Sequence, residues 1–395
     1  MQRYWFLTLL LLSFLPGLTQ ESPADFEAID RHARRAPKDL IQELPALTDY
    51  LISKAENEVE RARAIYYWIT HHIRYDEDAF RSGRQRINRN NTDILRRQQA
   101  ICFGYSQLFK AMCARAGLDC EVVSGYSKGT LTTSPNMQHP DHAWNAIRLE
   151  DRWRLLDATW GASQVQRGNQ FVQTERETYF LTAPEQFVLN HLPQVPMWQL
   201  LGRPVDVPTF QQPADSISVH LARGNGNFHF ADSIRHWRSL PRSEQRLWEA
   251  RKAYDFHPTD DNRRELGHIY MDYAGDLTDS IDQLPPDRSL DTLIILQSRV
   301  IEHCEKARRY TDTLYNWQRE LHVNALINQA AALYQNVYEK TDEATLQSAF
   351  GQMRRLLLRA QDIIAELPAS SFYGRQMAQR CKEYLQVIEP YVPEE

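Results

Sequence analysis

Residues 142–160 read HAWNAIRL, then Glu150-Asp151, then RWRLLDATW. Both runs are rich in strand formers, and a two-residue connection between such runs predicts a β-hairpin. That hairpin fixes more than local structure. If Leu149 faces Arg152 across the turn, Trp144 faces Asp157 and His142 faces Thr159. Side chains alternate along a strand, so His142, Trp144 and Ala146 share a face with Leu155, Asp157 and Thr159. His142 and Asp157 become diagonal cross-strand neighbours, about 7–8 Å apart at the backbone and within side-chain reach. A four-residue turn would preserve this parity, whereas a three-residue turn would send Asp157 to the opposite face.

An aspartate beside a histidine fixes the imidazole tautomer and stabilises the charged ring, so that the ring can take a proton from a nucleophile. A candidate nucleophile lies upstream, in AICFGYSQLFKAMCARAGLDCEVVSGYSKG (residues 100–129). Tyr105, Leu108, Phe109, Met112 and Ala116 recur at helical spacing, and Gly117 is placed to end the helix. Cys102 then stands at or just before the first turn, where unpaired backbone N–H groups favour negative charge on sulfur. Laid against the His142 face, that helix start would complete a Cys102–His142–Asp157 triad. Cys113 sits one step from Met112 and is expected to pack, and CEVVSGYS is expected as a strand. The competing reading has His142 and Asp157 pairing on an exposed sheet face and Cys102 serving structure only.

The rest of the chain supplies the setting. Residues 1–20 carry an arginine, an apolar run from Phe6 to Leu15, then Pro16 and Gly17, the layout of a secretory signal peptide. The run is too short to span a bilayer, so no membrane span is expected after cleavage and the mature chain is expected to be secreted or periplasmic. Five cysteines are an odd number for an exported chain and leave at least one thiol free or paired between molecules. A catalytic domain is expected over residues 21–210, preceded in its core by an amphipathic helix near residues 57–74. Residues 211–240 read as a linker or short hairpin around the turn-like GNGN. Residues 241–395 read as helices, with runs near 289–310, 313–340, 342–366 and 371–389. The stretch 244–277 is similar to one tetratricopeptide-type unit, so this half is either a plain bundle or a repeat-like surface that binds a protein partner.

Composition excludes some functions. A net charge of −5 gives no reason to expect a nucleic-acid partner. The arginine-rich stretch of residues 81–98 lacks interleaved aromatics to stack on bases and reads as a solvated loop. His139 and His142, with His71-His72, lack a closed set of further ligands, so no metal is expected. No acidic loop of the kind calcium needs is present. No cofactor is expected.

Three segments, AICFGYSQLFKAMCARAGL, DHAWNAIRLEDRWRLLDATWGA and YFLTAPEQFVLNHLPQVPMWQLL, resemble the transglutaminase-like superfamily, in particular its kyphoscoliosis-peptidase-type branch. The upstream IYYWITHHIRYD is similar to the helix preceding the core in those proteins, and the resemblance covers roughly residues 45–205. It implies an α+β fold, a papain/transglutaminase-like core with the nucleophile helix packed on an antiparallel sheet, followed here by the all-α half. Carried over residue by residue, it implies Cys102 as nucleophile, His142 as general base and Asp157 as the residue orienting it. One departure is QQAICFGYS, where relatives carry a glycine-valine pair just before the cysteine. The implied function is an exported cysteine-dependent peptidase or amidase acting on peptide or isopeptide bonds of a peptide or protein substrate through a thioester. The alternatives are a transglutaminase-type cross-linking acyltransferase and a non-catalytic interaction module.

Overall fold

The computed structural model describes residues 25–82, 90–129, 137–162, 164–167, 170–173, 177–224, 226–285, 287–337 and 343–392. The expected signal peptide at residues 1–20 lies outside them. Two short helices, α1 (Glu27–Arg34) and α2 (Leu44–Ile52), precede α3 (Glu58–His72). The side chain of Asn57 caps α3 by accepting from the Glu60 N–H. Arg63, buried in α3, is held by Asp30 of α1 and by Glu177, so the N-terminal helices are clamped to a distant loop.

Strand β1 (Arg74–Tyr75) runs parallel to β2 (Gln99–Ala100), with α4 (Glu77–Arg81) and α5 (Asn91–Arg97) between them. Part of the expected arginine-rich loop, residues 83–89, lies outside the described residues. Its end is the helix α5 rather than loop, because Asn90 accepts from the Thr92 N–H and Ile94 and Leu95 turn into the core. Helix α6 (Cys102–Arg115) follows, and Gly117 at φ +70° supplies the left-handed residue that ends it.

The main sheet is antiparallel, in the order β5 (Arg152–Leu156), β4 (His142–Leu149), β3 (Asp119–Ser127), β8 (His191–Pro193). Leu149 pairs with Arg152 and Asn145 with Leu156, the register expected from a two-residue turn. Glu150 and Asp151 both take positive φ, as such a turn requires. Between β5 and β8 lie α7 (Ala158–Gly161), the hairpin β6 (Gln164–Arg167) and β7 (Gln170–Gln173), and α8 (Pro184–Phe187).

Alternation along the sheet gives it two different faces. Ile147, Leu149 and Leu156 join Tyr105, Leu108, Phe109 and Met112 of α6 and the apolar side of α3 in one core. Val123, Trp144, Ala146 and Leu155 join Phe187, Val195, Trp198 and, from further along the chain, Ile234, Trp237 and Ala253 in another. The body of α6 therefore packs on the face opposite to Trp144 and Ala146. The expected stacking of the helix on the His142 face is corrected by this: the bulky apolar row Ile147–Leu149 lies on the odd-numbered side, and the helix follows it.

Beyond the sheet the chain is helical: α9 (Val207–Phe210), α10 (Ala214–Leu221), α11 (Phe230–Ser239), α12 (Arg242–Phe256), α13 (Asp260–Asp282), α14 (Leu290–Tyr310), α15 (Asn316–Val337), α16 (Glu343–Ala365) and α17 (Phe372–Ile388). The linker or hairpin expected over 211–240 is instead occupied by α10 and α11. Pro213 opens α10, and Ile217 is buried with Leu221 one turn on, a helical rather than an alternating pattern. Each of α12 to α16 packs against the helix that follows it, and the Thr259 side chain caps α13 by accepting from the Asn262 N–H. No helix among the described residues is long and apolar enough to cross a membrane.

Candidate active site

His142 is the first residue of β4, and its Nε2 lies 2.7 Å from Asp157 Oδ2. Asp157 follows β5 and serves a second purpose as the N-cap of α7: its Oδ1 accepts from the N–H groups of Thr159 (2.7 Å) and Trp160 (3.1 Å). The same carboxylate that ends the strand and starts the helix is thus aimed at the imidazole. Asp157 is fully buried, and only its hydrogen bonds make a charge there tolerable. Burial raises its pKa, but His142, and after it His191, more than offset this and hold the carboxyl well below the usual carboxylate range.

With Nε2 committed to Asp157, Nδ1 is the ring nitrogen left for the thiol. Cys102, the first residue of α6, lies near enough to the His142 ring to help hold its charge. Burial lowers the imidazole pKa, yet the Asp157 charge and hydrogen bond, reinforced by Cys102, raise it to about 10. At neutral pH the ring therefore carries a positive charge beside the Asp157 carboxylate. The first turn of α6 holds no acidic residue, and Ser106 Oγ closes it by donating to the Cys102 carbonyl (3.0 Å). Asn145 of β4, buried on the α6 side, donates to the Ser106 carbonyl (3.0 Å) and the Glu121 carbonyl (3.2 Å), tying the helix start to the sheet. All three residues expected from the sequence are therefore brought together.

Sequence reasoning missed two neighbours. His191, in the three-residue β8, places Nε2 3.1 Å from Asp157 Oδ2. Its strand pairs with β3 across some sixty residues of chain, opposite Ser127, so no local pattern marks it. Tyr75 lies opposite Ala100 in the β1–β2 pair, and burial, then the Cys102 charge, push its phenol far up, so it stays protonated. Trp144 and Trp160 flank the His142 ring at centroid distances of 5.9 and 5.4 Å.

The histidines considered as metal ligands separate. His139 pairs with Asp261 at 2.7 Å, and the Nδ1 atoms of His71 and His72 bond the carbonyls of Tyr67 and Trp68 one turn back. A different grouping, His142, Asp157 and His191, brings three ligand atoms within 4.8 Å of one another and could hold a metal ion. The hydrogen bonds just described use all three atoms. The five cysteines are all buried free thiols.

The fold is of the papain/transglutaminase-like class, with a cysteine-bearing helix on one face of an antiparallel sheet, a histidine at the start of one strand and an aspartate just past the end of its neighbour. Residues 45–158 match the family model of the transglutaminase-like superfamily. Kyphoscoliosis peptidase of Mus musculus is 41% identical over 189 residues, which is 47% of this chain and 28% of that protein. Hillarin of Drosophila melanogaster is 29% identical over 231 residues, 53% of this chain and 27% of that protein. The matched regions thus span less than a third of these relatives. The crystal structure of a TGase aligns at 20% identity over 39% of this chain and 38% of that chain, with a TM-score of 0.25.

Proposed function

We propose that the protein is a thiol acyl-transfer enzyme that cleaves peptide or isopeptide amide bonds through a thioester on Cys102. The observation that carries the reading is the His142–Asp157 hydrogen bond to a fully buried carboxylate, with Cys102 at the start of α6 beside the His142 ring. Cys102 Sγ attacks the amide carbonyl carbon. The thiol proton goes to His142, which passes it to the leaving amine as the C–N bond breaks. Water then attacks the thioester while His142 takes its proton, and the C–S bond breaks to release the acid. Asp157 keeps the imidazole in the tautomer that presents Nδ1 to sulfur and stabilises the ring while it is charged. The Cys102 backbone N–H at the helix start and the protonated Tyr75 hydroxyl are the groups suited to receive the oxyanion.

One observation favours a second acceptor. Cys102 and His142 are each less than a tenth exposed, and Trp144 and Trp160 flank the His142 ring, an enclosure that would disfavour water relative to an amine carried on a substrate. Transfer to a lysine amine is therefore the alternative reading. Export rests on the apolar run of residues 6–15 and would be tested by the N-terminus of the protein recovered outside the cytoplasm. The reaction is tested by trapping the Cys102 thioester by mass spectrometry and measuring its partition between water and a primary amine. Hydrolysis exceeding aminolysis supports the peptidase, the reverse supports the transferase, and absence of any Cys102 adduct would overturn both.

A further inference from the structure

Four hydrogen bonds reach the Asp157 carboxylate, and the triad accounts for only part of them. Two come from the backbone of α7 and one from His142. The fourth comes from His191, whose Nε2 is 3.1 Å from the same oxygen, Oδ2, that His142 uses. We propose that His191 is a positioning residue of this site, an uncharged imidazole that donates from Nε2 to Asp157 and locks the carboxylate in the rotamer that faces His142.

The surroundings fit that role. A carboxylate oxygen only accepts, so the proton must sit on His191 Nε2. The ring side chain is wholly buried, stacked on Phe187 at 4.1 Å and against Trp160 at 4.3 Å, which leaves it no freedom to turn. On its far side Nδ1 lies 2.6 Å from Asn190 Oδ1, and Asn190 Nδ2 lies 3.4 Å from the Tyr179 hydroxyl. A ring protonated only at Nε2 requires the Asn190 amide to be turned over from this orientation, its NH2 toward Nδ1 and its carbonyl toward Tyr179. Burial, only partly opposed by Asp157, lowers the His191 pKa to about 4, so the ring donates without adding a second positive charge beside His142. Without this donor, Oδ2 would keep one partner, and its position would depend on the very ring it is meant to fix.

The kinetic consequence rests on the acyl-transfer reading; the geometry does not. In the full-length protein, His191→Phe keeps a buried aromatic ring and removes the donor, whereas His191→Gln restores an N–H. The rate of Cys102 acylation by an activated acyl ester is followed across the titration of His142. His191→Phe should slow acylation on the order of 10–100-fold, the usual cost of losing a partner that orients an active group. It should also move the alkaline limb to lower pH, because a loosened carboxylate stabilises the imidazolium less. His191→Gln should recover most of the rate and the limb. A wild-type rate and limb in His191→Phe would overturn the proposal, as would equal losses in both variants together with a lowered melting temperature, which would mark a packing role. If wild-type Cys102 is not acylated, or is acylated independently of His142, the acyl-transfer reading fails instead. The positioning role is then decided by the NMR titration of the His142 ring: a midpoint lowered in His191→Phe and restored in His191→Gln upholds it, and an unchanged midpoint refutes it.

Discussion

Asp157, His142 and His191 form one buried electrostatic unit, and their opposite shifts set how stability depends on pH. His142 is raised to about 10, so it contributes its full stabilisation below its ordinary value of 6.5 and loses it as pH rises toward 10. His191 is lowered to about 4, so between pH 6.5 and 4 the unfolded chain takes up a proton that the folded ring refuses, and stability falls as pH falls. Asp157, also lowered, contributes above its ordinary 3.8 and loses that contribution as pH falls through its folded value. Stability should therefore peak near neutrality, with His191 alone accounting for up to about 3 kcal/mol of the acid-side loss. Urea unfolding at a series of pH values checks this; His191→Gln should flatten the slope between pH 6.5 and 4. At this scale the sequence was legible where contacts are close in the chain. The hairpin parity alone placed His142 beside Asp157. His191 and Tyr75 were hidden because each is brought in by a strand pairing between distant segments.

The elements position the site by close approach. Gly125 of β3 lies opposite His142, and a Cβ there would collide with the Leu192 carbonyl and the Trp144 ring. Gly125→Ala should therefore destabilise the protein by about 1–3 kcal/mol, as overpacking in a tight core does. It should also slow Cys102 acylation by displacing β8 or Trp144, both of which touch the His142 and His191 rings. Ser124→Ala, at the exposed neighbouring position, should stay within about 0.5 kcal/mol in the same denaturation experiment. Equal effects of the two changes would contradict the packing account. Helices α3, α6 and α14–α17 were readable from apolar spacing. The segment 214–221 was not, because SISVHL satisfies a period of two as well as a step of four, and only Pro213 and tertiary burial of Ile217 decide between them. The face on which α6 packs was misjudged for a related reason: the triad's parity says where His142 points, not which side carries the larger apolar row.

At the scale of the whole molecule the helical half does more than follow the sheet. Trp237 of α11 packs edge-on against Trp198 at 5.5 Å, and Ala253 of α12 joins the same core as Trp144. His257 Nε2 donates to the Met137 carbonyl at 3.0 Å, and Asp261 holds His139 at 2.7 Å, so α12 and α13 grip the segment that leads into His142. Asn262 meets the Tyr126 hydroxyl and Gln194 from the same side. A chain ending at residue 240 should therefore melt at a lower temperature and acylate Cys102 more slowly than the full protein. Residues 242–391 alone should stay helical by circular dichroism, since α13–α17 bury their own apolar rows. A truncated chain as stable and as reactive as the whole would show that the two halves are independent.

The most direct test of the central claim is the rate of Cys102 acylation in the wild type, in Asp157→Asn, in His142→Ala and in the double variant, each confirmed as folded. Asp157→Asn keeps a hydrogen-bonding partner but should lower the rate by roughly 10³–10⁴-fold, because an amide neither stabilises the charged imidazole nor secures its tautomer. His142→Ala should cost at least as much, and the double variant should be little worse than His142→Ala, because both residues act through one ring. An Asp157→Asn variant as fast as wild type, or losses that multiply in full, would contradict the account.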